Sequence, residues 1–203
     1  MPYPHNPTTD ELVEAFKAIS ASTLGHLTSD GYLSGIRPIV TSVKLVGSVR
    51  TAKIHLPNAN VLREALVQAK ANEILVIECA GNTDYACWGE LRTLAAQIKG
   101  LSGIVISGKV TDLHALQELR LPIFSAGVSA LTTHSNAKAP YGTFDTAIEI
   151  AGNRINSGDI VLGDDDGIFI LSPKQAEMLL PSCIEKEHKD KKRKKELMVK
   201  FSN

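Results

Sequence analysis

Residues 88–125 read WGELRTLAAQIKGLSGIVISGKVTDLHALQELRLPIFS, and this stretch decides the fold class. Trp88–Ile98 suits a helix. Gly103–Ser107 is a short β-branched run, the pattern of a strand buried on both faces. Asp112–Leu119 suits a helix again, opened by a residue type favoured at the N-cap. Pro122–Ser125 returns to strand. Helices alternating with short apolar strands point to an α/β core with parallel strands.

Upstream, Thr8-Thr9-Asp10-Glu11 has the spacing of a capping box, a threonine followed by glutamate three residues on. Leu12, Phe16 and Ile19 follow at helical spacing, and Ser22-Thr23 opens a second short helix. Ile39–Leu45 and Val49–Leu56 read as strands with a turn at Val46-Gly47-Ser48. Asn58 or Asn60 caps a helix through Ala69, with Leu62, Leu66 and Ala69 on one face. Ile74–Cys79 reads as a buried strand. Downstream, Asp159–Leu162 and Gly167–Leu171 flank Gly163-Asp164-Asp165-Asp166. Pro173 suits the first turn of a helix, and Pro181 should kink that helix or begin another. With no repeat, low-complexity segment or linker, residues 1–203 are expected to form one domain, 173–203 being its C-terminal helical segment.

The chain has 203 residues, 43% hydrophobic and 22% charged, enough for a sizeable core and too apolar for a disordered chain. Its longest apolar runs, such as Ile74–Ile77 and Ile168–Leu171, are too short to span a bilayer, so no membrane association is expected. No basic region followed by an apolar one marks a secretory signal. The three cysteines (Cys79, Cys87, Cys183) show no CxxC spacing, which fits a reducing cytoplasm.

The usual cofactor and nucleophile motifs are missing from the sequence. Six scattered histidines form no HExxH, and no GxGxxG occurs. Gly103 to Lys109 has P-loop spacing, but Val110 stands where a hydroxyl must bind magnesium. Gly127-Val128-Ser129-Ala130-Leu131 lacks the final glycine of a serine nucleophile elbow. Asp164-Asp165-Asp166-Gly167 lacks the alternating oxygens of a calcium loop. Between two apolar runs it reads as a hairpin turn.

Several segments taken in order carry a resemblance. They are Cys87-Trp88-Gly89-Glu90-Leu91-Arg92, then Ile104 to Asp112, then Leu121-Pro122-Ile123-Phe124-Ser125-Ala126-Gly127-Val128-Ser129, then Gly158 to Ile168. Over roughly residues 20–175 the chain resembles the family of 4-hydroxy-4-methyl-2-oxoglutarate aldolases and the regulator of ribonuclease E activity A. The resemblance implies a swivelling β/β/α fold, assembled as a homotrimer or hexamer with sites between subunits. It implies a divalent-metal-dependent lyase, using Mg²⁺ or Mn²⁺, that acts on a small 2-oxo acid by retro-aldol cleavage or decarboxylation through a pyruvate enolate. Gly89, Glu90, Leu91 and Arg92 match the substrate-binding helix start, and Asp112 matches the metal-binding aspartate. Thr111 occupies the place of the family's substrate-binding arginine. These residue types suit the chemistry: a hard carboxylate holds the metal, and helix N–H groups hold the substrate carboxylate.

The departures are specific. Thr111 cannot make an arginine's bidentate contact. Ala115 stands where the aldolase pattern has an acid. Ser107, His26 and Ala126 replace an aspartate, an aspartate and an arginine of the family pattern. Lys109, two residues before Thr111, or Arg92 could supply the missing cation, and Lys109 could also act as a catalytic amine. Each residue has a plainer reading too: Asp112 as the cap of the next helix, Glu90 as a first-turn acid suited to the dipole, Lys109 as a solvated strand end, Trp88 as core. The alternative function is a non-catalytic regulator that binds a protein partner such as a ribonuclease.

Net charge is zero, but residues 184–203 hold eight basic and four acidic side chains, a +4 tail on a −4 body. Glu185–Lys189, Glu187–Lys191 and Asp190–Lys194 have i,i+4 spacing. The tail therefore reads as a charged peripheral helix ending in apolar Leu197, Met198, Val199 and Phe201, suited to subunit contacts. Nucleic acid is not expected as a partner.

Overall fold

The computed structural model describes residues 7–133 and 141–201. In chain order the first elements are α1 (Thr9–Phe16), α2 (Ala21–Leu27), β1 (Arg37–Pro38), β2 (Leu45–Leu56), α3 (Val61–Gln68) and β3 (Glu73–Gly81). Next come β4 (Ala86–Trp88), α4 (Glu90–Lys99), β5 (Gly103–Val110), α5 (Leu113–Leu119) and β6 (Ile123–Val128). The chain ends with β7 (Gly142–Phe144), β8 (Ile148–Ile150), β9 (Asn153–Ile155), β10 (Ile160–Asp164), β11 (Gly167–Leu171) and α6 (Pro173–Phe201).

The main sheet runs β1-β6-β5-β3-β2-β10-β11, with β4 beside β5 and β7 beside β2. Its centre is parallel: β2 with β3, β3 with β5, and β5 with β6. Period-two alternation divides these strands between two cores. Leu75, Ile77, Ile104 and Ile106 face α3, α4 and α5, meeting Ala65, Ala96 and Leu116. Ile74, Val76 and Val105 point the other way and pack with Phe124, Val161 and Ile168. The sheet therefore curls until β10 and β11 face β5 and β6. At Gly163 an added Cβ would lie 2.9 Å from the Phe124 ring. The β8–β9 hairpin contributes Ile148, Ile150 and Ile155 to the same interior. Two β layers result, with α3, α4 and α5 outside the first, the layered α/β fold expected from the resemblance. A third core packs α1, α2 and α6 on the outer face of β10 and β11, through Phe16, Leu24 and Leu180 against Leu162 and Phe169.

The capping box at Thr8 and Glu11 forms as expected. So does the hairpin at Asp164–Gly167, where β10 and β11 pair antiparallel. Other local expectations are corrected. Residues 39–44 are not a strand, and Val46-Gly47-Ser48 is not a turn but part of the continuous β2. A Cβ on Gly47 would meet Ile74 at 2.9 Å, so this glycine serves close packing and not a bend. Trp88 ends β4, and the helix starts at Glu90. Pro181 lies inside α6, which continues to Phe201, so of the two expectations for Pro181 it is the start of another helix that does not hold. Glu187 does not serve a surface pair with Lys191: its carboxylate turns inward and accepts from the Ser20 N–H (3.0 Å), the Ser20 hydroxyl (2.9 Å) and the Thr23 hydroxyl (2.7 Å). Asp190 pairs with Lys186 at 2.6 Å, while Glu185–Lys189 pairs as expected.

Residues 188–201 are all exposed, and the apolar end stays open, Phe201 being 88% exposed. Among the described residues no helix is long and apolar enough to cross a membrane. The three cysteines are free and buried. Cys79 and Cys87 lie 3.7 Å apart; their mutual hydrogen bond and burial push the Cys79 thiol well up, which keeps it unreactive.

Candidate active site

Two chain crossings build the site. β4 and β5 run parallel side by side, and each ends in a turn into a helix. The Thr111 N–H donates to the Trp88 carbonyl at 2.8 Å and ties the two turns together. Gly89, the N-cap of α4, is thereby pressed against Asp112. A Cβ on Gly89 would lie 2.4 Å from Asp112 Oδ2 and 2.8 Å from Thr111 Cγ2. Only a glycine leaves room for that carboxylate.

Asp112 occupies the N-cap position of α5 in left-handed backbone (φ 57°), a conformation aspartate tolerates. Its side chain makes no cap bond to α5. Instead Oδ2 accepts from the Glu90 N–H at 3.0 Å, so Asp112 caps α4 across space. The Thr111 hydroxyl lies 3.4 Å from the other oxygen. The plain reading of Asp112 as a helix cap thus holds for a different helix from the one its sequence position suggests. Glu90 itself is exposed.

Arg92 stands one turn into α4. Its Nη1 donates to the Cys87 carbonyl at 2.6 Å. Burial pulls its pKa below the ordinary guanidinium value, only partly opposed by Cys87; it stays charged at neutral pH. The Trp88 indole N–H donates to the Thr93 hydroxyl (2.9 Å), which donates to the Gly89 carbonyl (2.9 Å). Trp88 is fully buried, in keeping with its core reading. This chain of bonds fixes the first turn of α4.

An open cleft of about 240 Å³ lies over this constellation. Gly89, Leu91, Arg92, Thr111 and Asp112 line it, together with Ala59, Asn60, Thr132 and Thr133. Five of the predicted site residues are therefore brought together. Lys109 is not among the lining residues: its ammonium pairs with Asp84 at 3.0 Å. Side chains two apart on a strand share a face, but β5 has ended before Thr111 turns into the cleft.

The donor set bears on what could bind. Among the described residues no group of three or more His, Cys, Asp or Glu is placed to hold a metal. One carboxylate, Asp112, reaches the cleft. That is too few ligands for a structural zinc, yet it suits Mg²⁺ or Mn²⁺, which is held by one or two carboxylates and keeps several waters. The N–H groups of Leu91 and Arg92, in the first turn of α4, have no carbonyl four residues back to bond.

Asn60, Thr132 and Thr133 were not expected at the site. Asn60 reads in sequence as a helix cap. Thr132 and Thr133 are brought in by pairing with β4: the Ala86 N–H donates to the Leu131 carbonyl (2.7 Å) and the Thr133 N–H to the Ala86 carbonyl (3.2 Å). No local pattern announces a pairing across more than forty residues.

A sequence model of the RraA-like family, described as Aldolase/RraA, matches residues 9–170. An uncharacterised protein of Methanocaldococcus jannaschii is 35% identical over 169 residues, 80% of this chain and 76% of that protein. The 4-hydroxy-4-methyl-2-oxoglutarate aldolase of Thermus thermophilus is 28% identical over 128 residues, 63% of this chain and 76% of the enzyme. Among solved structures, Streptomyces coelicolor RraAS2, described as an unusual member of the RNase ES inhibitor RraA family, superposes with a TM-score of 0.79. It is 24% identical and covers 94% of this chain and 100% of its own. The matched segment contains both turns of the cleft, and the chain belongs to the RraA-like family.

Proposed function

We propose that this protein is a divalent-metal-dependent lyase that cleaves or decarboxylates a small 2-oxo acid. The observation that carries the reading is the Asp112 carboxylate held over the start of α4, in one cleft with Arg92. The cleft offers two things a 2-oxo acid needs. The N–H groups of Leu91 and Arg92, with the Arg92 guanidinium, bind the substrate carboxylate. Asp112 would hold Mg²⁺ or Mn²⁺, which when bound would supply Lewis-acid stabilisation of developing negative charge. Gly89 keeps the backbone low enough for both. The Thr111 hydroxyl hydrogen-bonds the carboxylate's outer oxygen and orients it. Glu90 and Lys109 stand outside the cleft lining, so binding is assigned to the first turn of α4 and to Asp112. The open side of the cleft is suited to completion by a neighbouring subunit in a trimer or hexamer.

The test is pyruvate release from oxaloacetate and from 4-hydroxy-4-methyl-2-oxoglutarate with Mg²⁺ or Mn²⁺. Release above the metal-only background, lost in Asp112→Ala, is expected. Background rates with every substrate, or activity unchanged in Asp112→Ala, would refute the reading. They would favour the regulator role, to which the uncharged Thr111 lends some support.

A further inference from the structure

Thr93 completes the first turn of α4 and is fully buried. It is not among the residues that line the cleft, whereas its neighbour Arg92 and its partner Trp88 are. Its hydroxyl makes two bonds at once: it accepts from the Trp88 indole N–H at 2.9 Å and donates to the Gly89 carbonyl at 2.9 Å. That carbonyl also accepts the Thr93 N–H at 3.1 Å, the first bond of the helix ladder. A helical threonine often bonds back to the carbonyl four residues before it, so the second bond alone would be ordinary. The first is not, because its donor is a buried indole on the strand before the helix.

Trp88 carries the effect to both turns of the site. Its carbonyl accepts the Thr111 N–H at 2.8 Å, and Gly89, next along the chain, is the residue against which the Asp112 carboxylate packs. The residue before it is held as well, the Cys87 carbonyl accepting from Arg92 at 2.6 Å. Two side-chain bonds, each spanning five residues, thus staple the end of β4 to the first turn of α4. The indole N–H is a donor only, and among the described residues no buried side-chain nitrogen or oxygen lacks a partner. Without the Thr93 hydroxyl this donor would be buried and unpaired, a state the turn escapes only by moving.

Resting on the lyase reading above, we propose that Thr93 is a positioning residue for the cleft. Its hydroxyl, held between Trp88 and Gly89, sets where the N–H groups of Leu91 and Arg92 stand, and so how tightly the substrate carboxylate is bound. Thr93 stands outside the cleft lining and acts through the first turn of α4. The contacts of that turn with the carboxylate are the same before and during bond cleavage. Loss of the hydroxyl therefore weakens binding without slowing the bound complex.

The experiment compares wild type with Thr93→Val, which keeps the branched shape and removes the hydroxyl, and with Thr93→Ser, which keeps the hydroxyl. Two constants are measured with Mg²⁺: KM for pyruvate release from oxaloacetate, and Kd for oxalate by titration calorimetry. Oxalate is a planar dianion that resembles the pyruvate enolate. In Thr93→Val both constants should rise about fivefold, the scale of one lost hydrogen bond, with kcat within about twofold of wild type. Thr93→Ser should bring both back to within about twofold of wild type. Trp88 is the sole tryptophan, so its emission reads the bond itself: it should shift in Thr93→Val and return in Thr93→Ser. A role in stability alone would lower Tm and the active fraction, hence kcat, and leave KM and Kd unmoved. If melts show that Thr93→Val does not fold, Trp88→Phe, which removes only the indole donor of the pair, should show the same rise in both constants. A rise below about threefold in either constant, or one that Thr93→Ser does not reverse, overturns the positioning role while leaving the lyase reading intact. No pyruvate from wild type overturns the lyase reading. The positioning role is then judged on oxalate alone, and it falls if wild type binds none or if Thr93→Val binds it equally well.

Discussion

Gly89→Ala is the sharpest probe of the site. Gly89 has φ −157° and ψ −162°, extended backbone that any residue adopts, so the substitution carries no backbone penalty. Its whole effect comes from one methyl group, 2.4 Å from Asp112 Oδ2 and 2.8 Å from Thr111 Cγ2. A carbon–oxygen contact needs about 3.3 Å, so the carboxylate must retreat by roughly 1 Å. The 3.0 Å bond from the Glu90 N–H is then lost. Overpacking of this kind costs about 1–3 kcal/mol, and in a chain of this size each kcal/mol lowers Tm by about 2–4 °C. Metal-dependent pyruvate release should fall by about a hundredfold, since a 1 Å misplacement is enough for that loss. The assay is a thermal melt beside a pyruvate assay titrated with Mg²⁺. Repeating the substitution in Asp112→Ala and Thr111→Ser backgrounds separates the two contacts. The cost of Gly89→Ala should shrink in each, an interaction of about 0.5–3 kcal/mol. Wild-type melting and activity in Gly89→Ala, or strict additivity with both partners, would refute the account of the site.

Three further outcomes are expected. Asp112→Asn keeps an oxygen for the Glu90 N–H, so it should change stability by about 1 kcal/mol or less yet abolish Mg²⁺-dependent release; titration with the metal alone should show its binding lost. For Glu187, burial raises the carboxyl pKa, but donation from Ser20 and Thr23 and the charge of Lys191 outweigh it, and the net pKa is held below the ordinary glutamate value. Its stabilising contribution is therefore present above the unfolded value of about 4.3 and lost as pH falls through the lower folded value. Glu187→Gln should melt below wild type at pH 7, with the gap closing in melts taken below about pH 4. Deleting residues 192–203, which are exposed wherever described, should shift Tm by no more than about 2 °C, read by the same melt.

The alternation of apolar runs in residues 88–125 was enough for an α/β core. Burial on both faces demands the continuous apolar strands seen in β3 and β5, and Thr8–Glu11 states its own cap. Such features are legible because they depend on neighbours in sequence. The turn assigned to Val46-Gly47-Ser48 failed for the opposite reason. A glycine needed for close approach and a glycine needed for a bend look alike until Ile74 is seen beside it. Glu187 has the i,i+4 spacing of a surface pair, yet it is drawn inward by Ser20 and Thr23, 167 and 164 residues away.

The site divides in the same way. Gly89, Arg92, Thr111 and Asp112 could be named from the sequence because they sit in two short segments with a recognisable order. Their arrangement could not be. Asp112 reads as the cap of the helix that follows it, and only the pairing of β4 with β5 turns it to the helix before. Lys109 and Thr111 have the spacing of strand neighbours, and only the end of β5 sends one to Asp84 and the other into the cleft. Thr132 and Thr133 reach the cleft only because β4 pairs with a segment beyond β6. Local order fixes which residue types are available, since propensity and periodicity act within a few positions. Which groups face each other across the cleft is set by strand pairing over tens of residues, and that was decided by the tertiary structure alone.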